Sequence, residues 1–156
     1  RRIAGTFTFT TIGETTTDAS GAYALTHRPD RSADYRALVV GGTGSCGLST
    51  TPNARADVRP GVAANPAAAR LPRGSTAEFR GQVLPAHAGQ RVYLQVFQGA
   101  SGTWANVVAA ALDSSSRYRL SYRRSGPGFL LFRIVYPTQH ADHAWNISRN
   151  LRVDWT

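Results

Sequence analysis

The sequence predicts an all-β protein: one complete β-sandwich over residues 61–156, preceded over residues 1–60 by an incomplete copy of the same unit. Three observations carry this. Apolar residues are rarely spaced three and four apart, while threonine, glycine and β-branched residues are frequent, so helix signals are nearly absent. Short alternating runs bounded by Gly, Pro, Ser, Asp or Asn follow one another at roughly the 8–12 residue spacing of a sandwich. A nine-residue stretch also recurs at an offset of 95 residues, about the length of one such domain.

Taken in order, the complete copy opens with a weak strand around Val62 to Arg70, followed by Phe79 to Leu84. Gln90 to Gln98 is the clearest element. Val92, Leu94 and Val96 fall on one side of it and Arg91, Tyr93, Gln95 and Phe97 on the other, which marks a strand with one buried face. Trp104 to Leu112, Arg117 to Arg123, Phe129 to Tyr136 and Ile147 to Trp155 bring the total to about seven strands.

The recurring stretch is Thr17-Asp18-Ala19-Ser20-Gly21-Ala22-Tyr23-Ala24-Leu25 against Leu112-Asp113-Ser114-Ser115-Ser116-Arg117-Tyr118-Arg119-Leu120. At the same offset Phe9 falls on Trp104 and Ile12 on Val107. After a slip of two residues Tyr35–Val39 falls on Phe132–Tyr136, and Ala56–Arg59 resembles Leu151–Asp154. An aspartate starts a tight turn by accepting bonds from its own backbone, and the Tyr and Leu that follow return to the core face. Gly21 suits a positive φ; Ser116 holds the same place at some cost in strain. The motif reads as structural rather than as a site.

Gly102, Trp104, Asp113, Tyr118, Leu120, Phe132, Arg133, Ser148 and Val153, with a partial second set in the first 60 residues, resemble the immunoglobulin-like or fibronectin-type-III-like repeats of secreted bacterial surface proteins. The resemblance implies an immunoglobulin-like β-sandwich, an extracellular or cell-surface location and a non-catalytic role. It names no ligand.

Mapped backward, the repeat gives no upstream counterpart for the strands at residues 62–98, so the first copy holds only half a core, which is unstable alone. Three readings follow: a trimmed or incomplete sequence, completion by another copy or protein through β-strand addition, or packing of the half against the complete domain. Strand addition could propagate head to tail into a fibre. Its edges would be Phe7 to Thr16 and Asp34 to Val40, with Phe7, Phe9, Ile12, Tyr35, Ala37 and Val39 as the assembly residues. The start, Arg1-Arg2-Ile3-Ala4-Gly5, lacks both Met and an apolar stretch and reads as a processed or trimmed end.

All 18 basic residues are arginine, which removes Schiff-base and P-loop lysine chemistry, and the single cysteine excludes an internal disulfide. The net charge of +9 divides as seven Arg against five acids in residues 1–60 and eleven against four in residues 61–156, that is +2 and +7. Arg117, Arg119 and Arg123 form a row on the solvent face of one strand, while Arg133, Arg149 and Arg152 fall on the other sheet. Charge spread in this way suits weak binding to envelope polysaccharide or polyanion, not specific nucleic-acid recognition. The longest apolar run, Phe129–Phe132, ends at Arg133, so no membrane insertion is expected.

Individual candidates are few. Gly42-Thr43-Gly44-Ser45-Cys46-Gly47 has dinucleotide-fingerprint spacing, but the following Leu48 to Asn53 cannot start the required helix, so a hairpin loop is expected and no cofactor. Cys46 is a candidate for an intermolecular disulfide. His140, Asp142 and His143 form a weak metal-ligand cluster without a fourth ligand. Trp104 and Trp145, with the histidine cluster, are candidates for a glycan-binding loop. Asn146-Ile147-Ser148 fits a glycosylation acceptor. No Gly-x-Ser-x-Gly element or paired-carboxylate arrangement is present, and no enzyme is expected.

Overall fold

A computed structural model describes residues 1–41, 47–138 and 141–156, and every regular element among them is a strand. The chain forms two units. One comprises Arg1–Val58 and the segment ending at Ala144; the other comprises the remainder from Arg59 onward.

The second unit follows the alternating pattern of its sequence. Its strands are β6 (Gly61–Pro66), β7 (Arg70–Leu71), β8 (Thr76–Leu84), β9 (Arg91–Gln98), β10 (Thr103–Ala111), β11 (Arg117–Arg123), β12 (Gly128–Tyr136), β13 (Asn146–Ile147) and β14 (Leu151–Trp155), and the first unit's are β1 (Arg2–Ile3), β2 (Ala33–Tyr35), β3 (Leu38–Val39), β4 (Ser49–Thr50) and β5 (Ala54–Ala56). One sheet of the second unit runs β11-β8-β6 and the other β10-β9-β12-β14-β7, with β13 on β12. All pairings are antiparallel except β14 with β7.

The single weak strand expected from Val62 to Arg70 is two strands. Pro66 has no N–H to continue the ladder, and the chain leaves β8 there to rejoin the opposite sheet beside β14. Val92, Leu94 and Val96 are buried as their alternation requires. The two sheets share one core, in which Phe132 meets Phe79 at 4.8 Å and Tyr122 at 5.2 Å between ring centroids and Trp155 at 6.2 Å. Burial of each such side chain contributes about 1.5–3 kcal/mol.

Two backbone details hold this core closed. Buried Tyr118 donates its hydroxyl to the Ala63 carbonyl at 2.6 Å, reaching from β11 across β8 to β6, and burial pushes its pKa up. It can cross only because residue 81 is glycine: a Cβ there would overlap both the Ala63 carbonyl oxygen and the Tyr118 ring. Ser116, at φ 57°, is buried, and its hydroxyl accepts the His87 N–H at 2.5 Å, a bond that glycine could not offer in exchange for the strain.

The first unit repeats part of this plan residue for residue. Its sheet runs β1-β2-β5, and β3 pairs with β4. The β2·β5 register, Ala33↔Ala56, Asp34↔Arg55 and Tyr35↔Ala54, is that of Leu130↔Val153, Leu131↔Arg152 and Phe132↔Leu151 with each partner shifted by 97. Likewise Leu38↔Thr50 and Val39↔Ser49 match Val135↔Ile147 and Tyr136↔Asn146. Ala37 N–H donates to the Thr51 hydroxyl and its carbonyl accepts the Thr51 N–H, as Ile134 does with Ser148. The last strand therefore aligns Ala54–Ala56, not Ala56–Arg59, with the start of β14; the two-residue shortening before β2 persists to the end of the unit.

The Asp18 and Asp113 turns are the same object. In each, the aspartate Oδ1 accepts the N–H groups two and four residues on, at 2.8 and 2.9 Å, and the third residue on has positive φ. The sequence motif thus carries its geometry into both units.

Replacing Gly81 with alanine is expected to destabilise the second unit by about 3 kcal/mol or more, because the clash is with backbone rather than with a movable side-chain end. A guanidinium denaturation curve followed by tryptophan fluorescence checks this, since Trp104, Trp145 and Trp155 all lie in the second unit, and a change below about 1 kcal/mol would show that β8 and β11 can separate without penalty.

Candidate functional site

The differences between the repeated parts define a site. In the second unit Tyr118, Leu120 and Tyr136 are 5%, 2% and 1% exposed; their counterparts Tyr23, Leu25 and Val39 are 47%, 49% and 43% exposed. Residues made apolar for a core therefore face solvent. No described residue of the first unit stands where β8 stands over β11, and residues 23–29 join no strand ladder. The result is an open groove of about 860 Å³ within the first unit, lined by Phe9, Tyr23, Leu25, Tyr35, Ala37 and Val39 among others.

One wall is held rigidly. Arg1 and Thr10 exchange both backbone hydrogen bonds at 2.6 Å, the pairing of Val96 with Ala105 in the second unit, so β1 lies between residue 10 and β2 as β9 lies between β10 and β12. The Arg36 guanidinium stacks 3.9 Å from the Phe9 ring centroid, as Arg133 does 4.3 Å from Trp104, and Arg2 covers Phe9 where Phe97 covers Trp104. Hydrogen bonds from Arg2 and then Arg55 hold the Asp34 carboxyl below the usual carboxylate range. Arg55 also pairs with Asp57, as Arg152 pairs with Asp154.

The groove has one polar irregularity. Tyr35 occupies the place of Phe132, and its hydroxyl is buried with no hydrogen-bond partner among the described residues. The His27 ring lies 5.7 Å from the Tyr35 ring.

The predicted site residues divide. Phe9, Ile12, Tyr35, Ala37 and Val39 line the groove, whereas Phe7 lies outside its lining and is almost fully exposed. The expected free edge from Asp34 to Val40 is not one over β2, because β1 and β5 flank it on both sides. Phe7 to Thr16 forms no regular strand. Trp104 lies in β10, not in a loop, packed between Phe97 and Arg133; Trp145 is half exposed, with the Arg59 guanidinium 5.8 Å from its ring. The Asn146 side chain donates to the Pro60 carbonyl at 2.8 Å, so the glycosylation acceptor nitrogen is engaged.

Cys46 and His140 lie outside the described residues. Asp142 and His143 tie their segment to the rest of the first unit: Nδ1 of buried His143 lies 3.3 Å from the Asp142 carboxylate and Nε2 lies 3.1 Å from the Asp30 carbonyl, while the Asp142 carbonyl accepts the Ser32 N–H. Among the described residues no group of three His, Cys, Asp or Glu side chains could hold a metal ion. The site residues that sequence reasoning did not name are Tyr23 and Leu25; their signal was present in the match to Tyr118 and Leu120, since the repeat predicts a burial that the described residues of the first unit do not give them.

No protein-family model matches the chain, and no curated protein or solved structure is significantly similar to it.

A buried hydroxyl without a partner costs about 1–3 kcal/mol. Tyr35→Phe is accordingly expected to stabilise the first unit of the isolated chain by about 1 kcal/mol, measured by denaturant midpoint at unchanged slope. Loss of stability would show that the hydroxyl already has a partner.

Proposed function

We propose that this protein is a non-catalytic, extracellular structural subunit built from immunoglobulin-like sandwich repeats, and that its first unit is completed by strands donated by a neighbouring subunit, joining copies head to tail into a fibre. The observation that carries this reading is the exposure of Tyr23, Leu25 and Val39 beside a groove whose walls keep the register of a closed core. Unsatisfied strand edges over an uncovered apolar face are templates for strand addition.

The strand order supports the immunoglobulin-like reading. Numbering the main strands of the second unit in sequence puts the first, second and fifth on one sheet and the third, fourth, sixth and seventh on the other, with the fourth beside the third. Eight of the nine acidic side chains, all but Glu14, support a structural role. Asp18 and Asp113 close turns; Asp30, Asp34, Asp57, Glu78 and Asp154 pair with arginines; and Asp142 pairs with His143. Glu78 accepts from both Arg119 and Arg80, which hold its carboxyl below the usual range. Carboxylates used in this way serve the fold rather than acid–base chemistry.

Light scattering across a concentration series, with negative-stain imaging of the same samples, tests the reading. The expected result is a mass that rises above 16.8 kDa with concentration, and elongated particles. A monodisperse monomer at millimolar concentration would overturn it.

A further inference from the structure

The positive charge of the second unit gathers on the outer face of its β11-β8-β6 sheet. Along β11 burial alternates, so that Tyr118 and Leu120 face the core while Arg117, Arg119 and Arg123 face out. In β8, Arg80 stands opposite Arg119 and Glu78 opposite Ser121, on the same outer side. Asn65 in β6 stands opposite Arg80, and Arg149, expected from the sequence on the other sheet, donates from Nη2 to the Asn65 side-chain oxygen at 2.8 Å. The outward residues of these three strands hold one acid, Glu78.

Two of the arginines break an ordinary rule of sheets. Like charges directly opposite each other destabilise a strand pair, yet Arg80 and Arg119 are such a pair. Glu78 offsets their repulsion. Its Oε2 accepts from Nε and Nη2 of Arg80 at 3.2 and 2.7 Å, and its Oε1 accepts from Nε and Nη2 of Arg119. The Glu78 side chain is 24% exposed, whereas those of Arg80 and Arg119 are 61% and 62% exposed. One mostly covered carboxylate thus orients two guanidinium groups by one edge and leaves their Nη1 donors to solvent. Arg117 and Arg123 pair with no carboxylate among the described residues; Arg123 gives only Nε, to the Gly74 carbonyl. On the opposite sheet Arg152 is paired with Asp154, and Arg133 lies over Trp104.

The chemistry that fits is an oxyanion with a separate oxygen for each of two facing guanidinium groups. A pendant sulfate ester offers three terminal oxygens, a carboxylate two in one plane, and a phosphodiester two with the others tied into its chain. Successive outward residues of β11 lie about 6.8 Å apart, which gives room for separate anionic groups of one polymer. No aromatic side chain on these outward positions can stack a base, and a flat sheet face does not enter a duplex groove, so nucleic acid fits less well. We propose that the outer face of the β11-β8-β6 sheet binds a linear sulfated polysaccharide, with Arg80 and Arg119 clamping one sulfate and Arg117, Arg123 and Arg149 meeting others along the polymer.

The probe is low-mass, fluorescein-labelled dextran sulfate, titrated with the full chain and followed by anisotropy, with hyaluronan and a single-stranded DNA oligonucleotide of matched charge for comparison. The expected result is saturable binding that weakens with added salt and is at least about tenfold tighter than for either comparison polymer. The double variant Arg80→Gln with Arg119→Gln is expected to bind at least about tenfold more weakly, and Arg70→Gln with Arg152→Gln, which removes the same charge from the opposite sheet, by no more than about twofold. Arg117→Gln with Arg123→Gln leaves both bonds of Glu78 in place and is expected to lose at least about threefold, so the test stands even if the first variant fails to fold. Equal losses from the two sheets would show a response to net charge alone and overturn the inference. So would equal affinity for the oligonucleotide or hyaluronan, or no binding of dextran sulfate.

Discussion

A buried tyrosine hydroxyl needs a carbonyl, and Tyr118 finds one at Ala63 only because Gly81 leaves the way open. That contact spans three strands and fixes their order: β11 cannot shift along β8 without pulling the hydroxyl from its acceptor, and β6 cannot leave without stranding it. The rest of the second unit follows. With β11-β8-β6 in register, Phe79 is delivered to Phe132, and Phe132 organises Tyr122 and Trp155 around it. The core is closed because one sheet is locked from its outer strand to its far edge.

Among its described residues the first unit keeps the parts of this plan that do not involve β8. Its turn, its sheet registers, its arginine–aromatic stack and its Arg–Asp pair all reproduce those of the second unit, since each depends on residues close in sequence or on the β1-β2-β5 sheet. None depends on a β8 equivalent. The counterparts of Tyr23 and Leu25 do depend on one, and those two side chains are half exposed; Tyr136, the counterpart of Val39, packs instead on His87 and Gln90. Local hydrogen bonding thus preserves the form of these elements in both units.

How far the sequence showed this follows from the range of each interaction. Strands such as β9 were legible because a period of two with one buried face writes itself into Val92, Leu94 and Val96. The Asp18 turn was legible because its bonds lie within five residues. The alignment of β5 was not, because Ala54-Arg55-Ala56 carries too little side chain to distinguish a shift of 95 from one of 97; only the ladder to β2 decides it. β1 was invisible because two residues, Arg2 and Ile3, set no period. Pro66 in the sequence marked the break between β6 and β7, but not that the chain would change sheets there. The strand beginning at Trp104 is legible in the sequence, but the packing that withdraws its ring from a ligand loop is not, because Phe97 and Arg133 come from two other strands and meet it only once the sheet is assembled. Asp142 and His143 looked like metal ligands by spacing; their hydrogen bonds to residues 30 and 32 depend on a chain reversal that no local pattern records.

The claim on which all of this turns is that the first unit keeps the registers of the second while no strand among the described residues covers Tyr23 and Leu25. Backbone hydrogen exchange measures it directly by comparing residues 23–27 with residues 118–122. In the dilute, monomeric chain the account predicts protection of the second group and near-free exchange of the first, with protection of residues 23–27 appearing only on assembly. Equal protection of the two groups in the monomer, or residues 23–27 still unprotected in the assembled form, would contradict it.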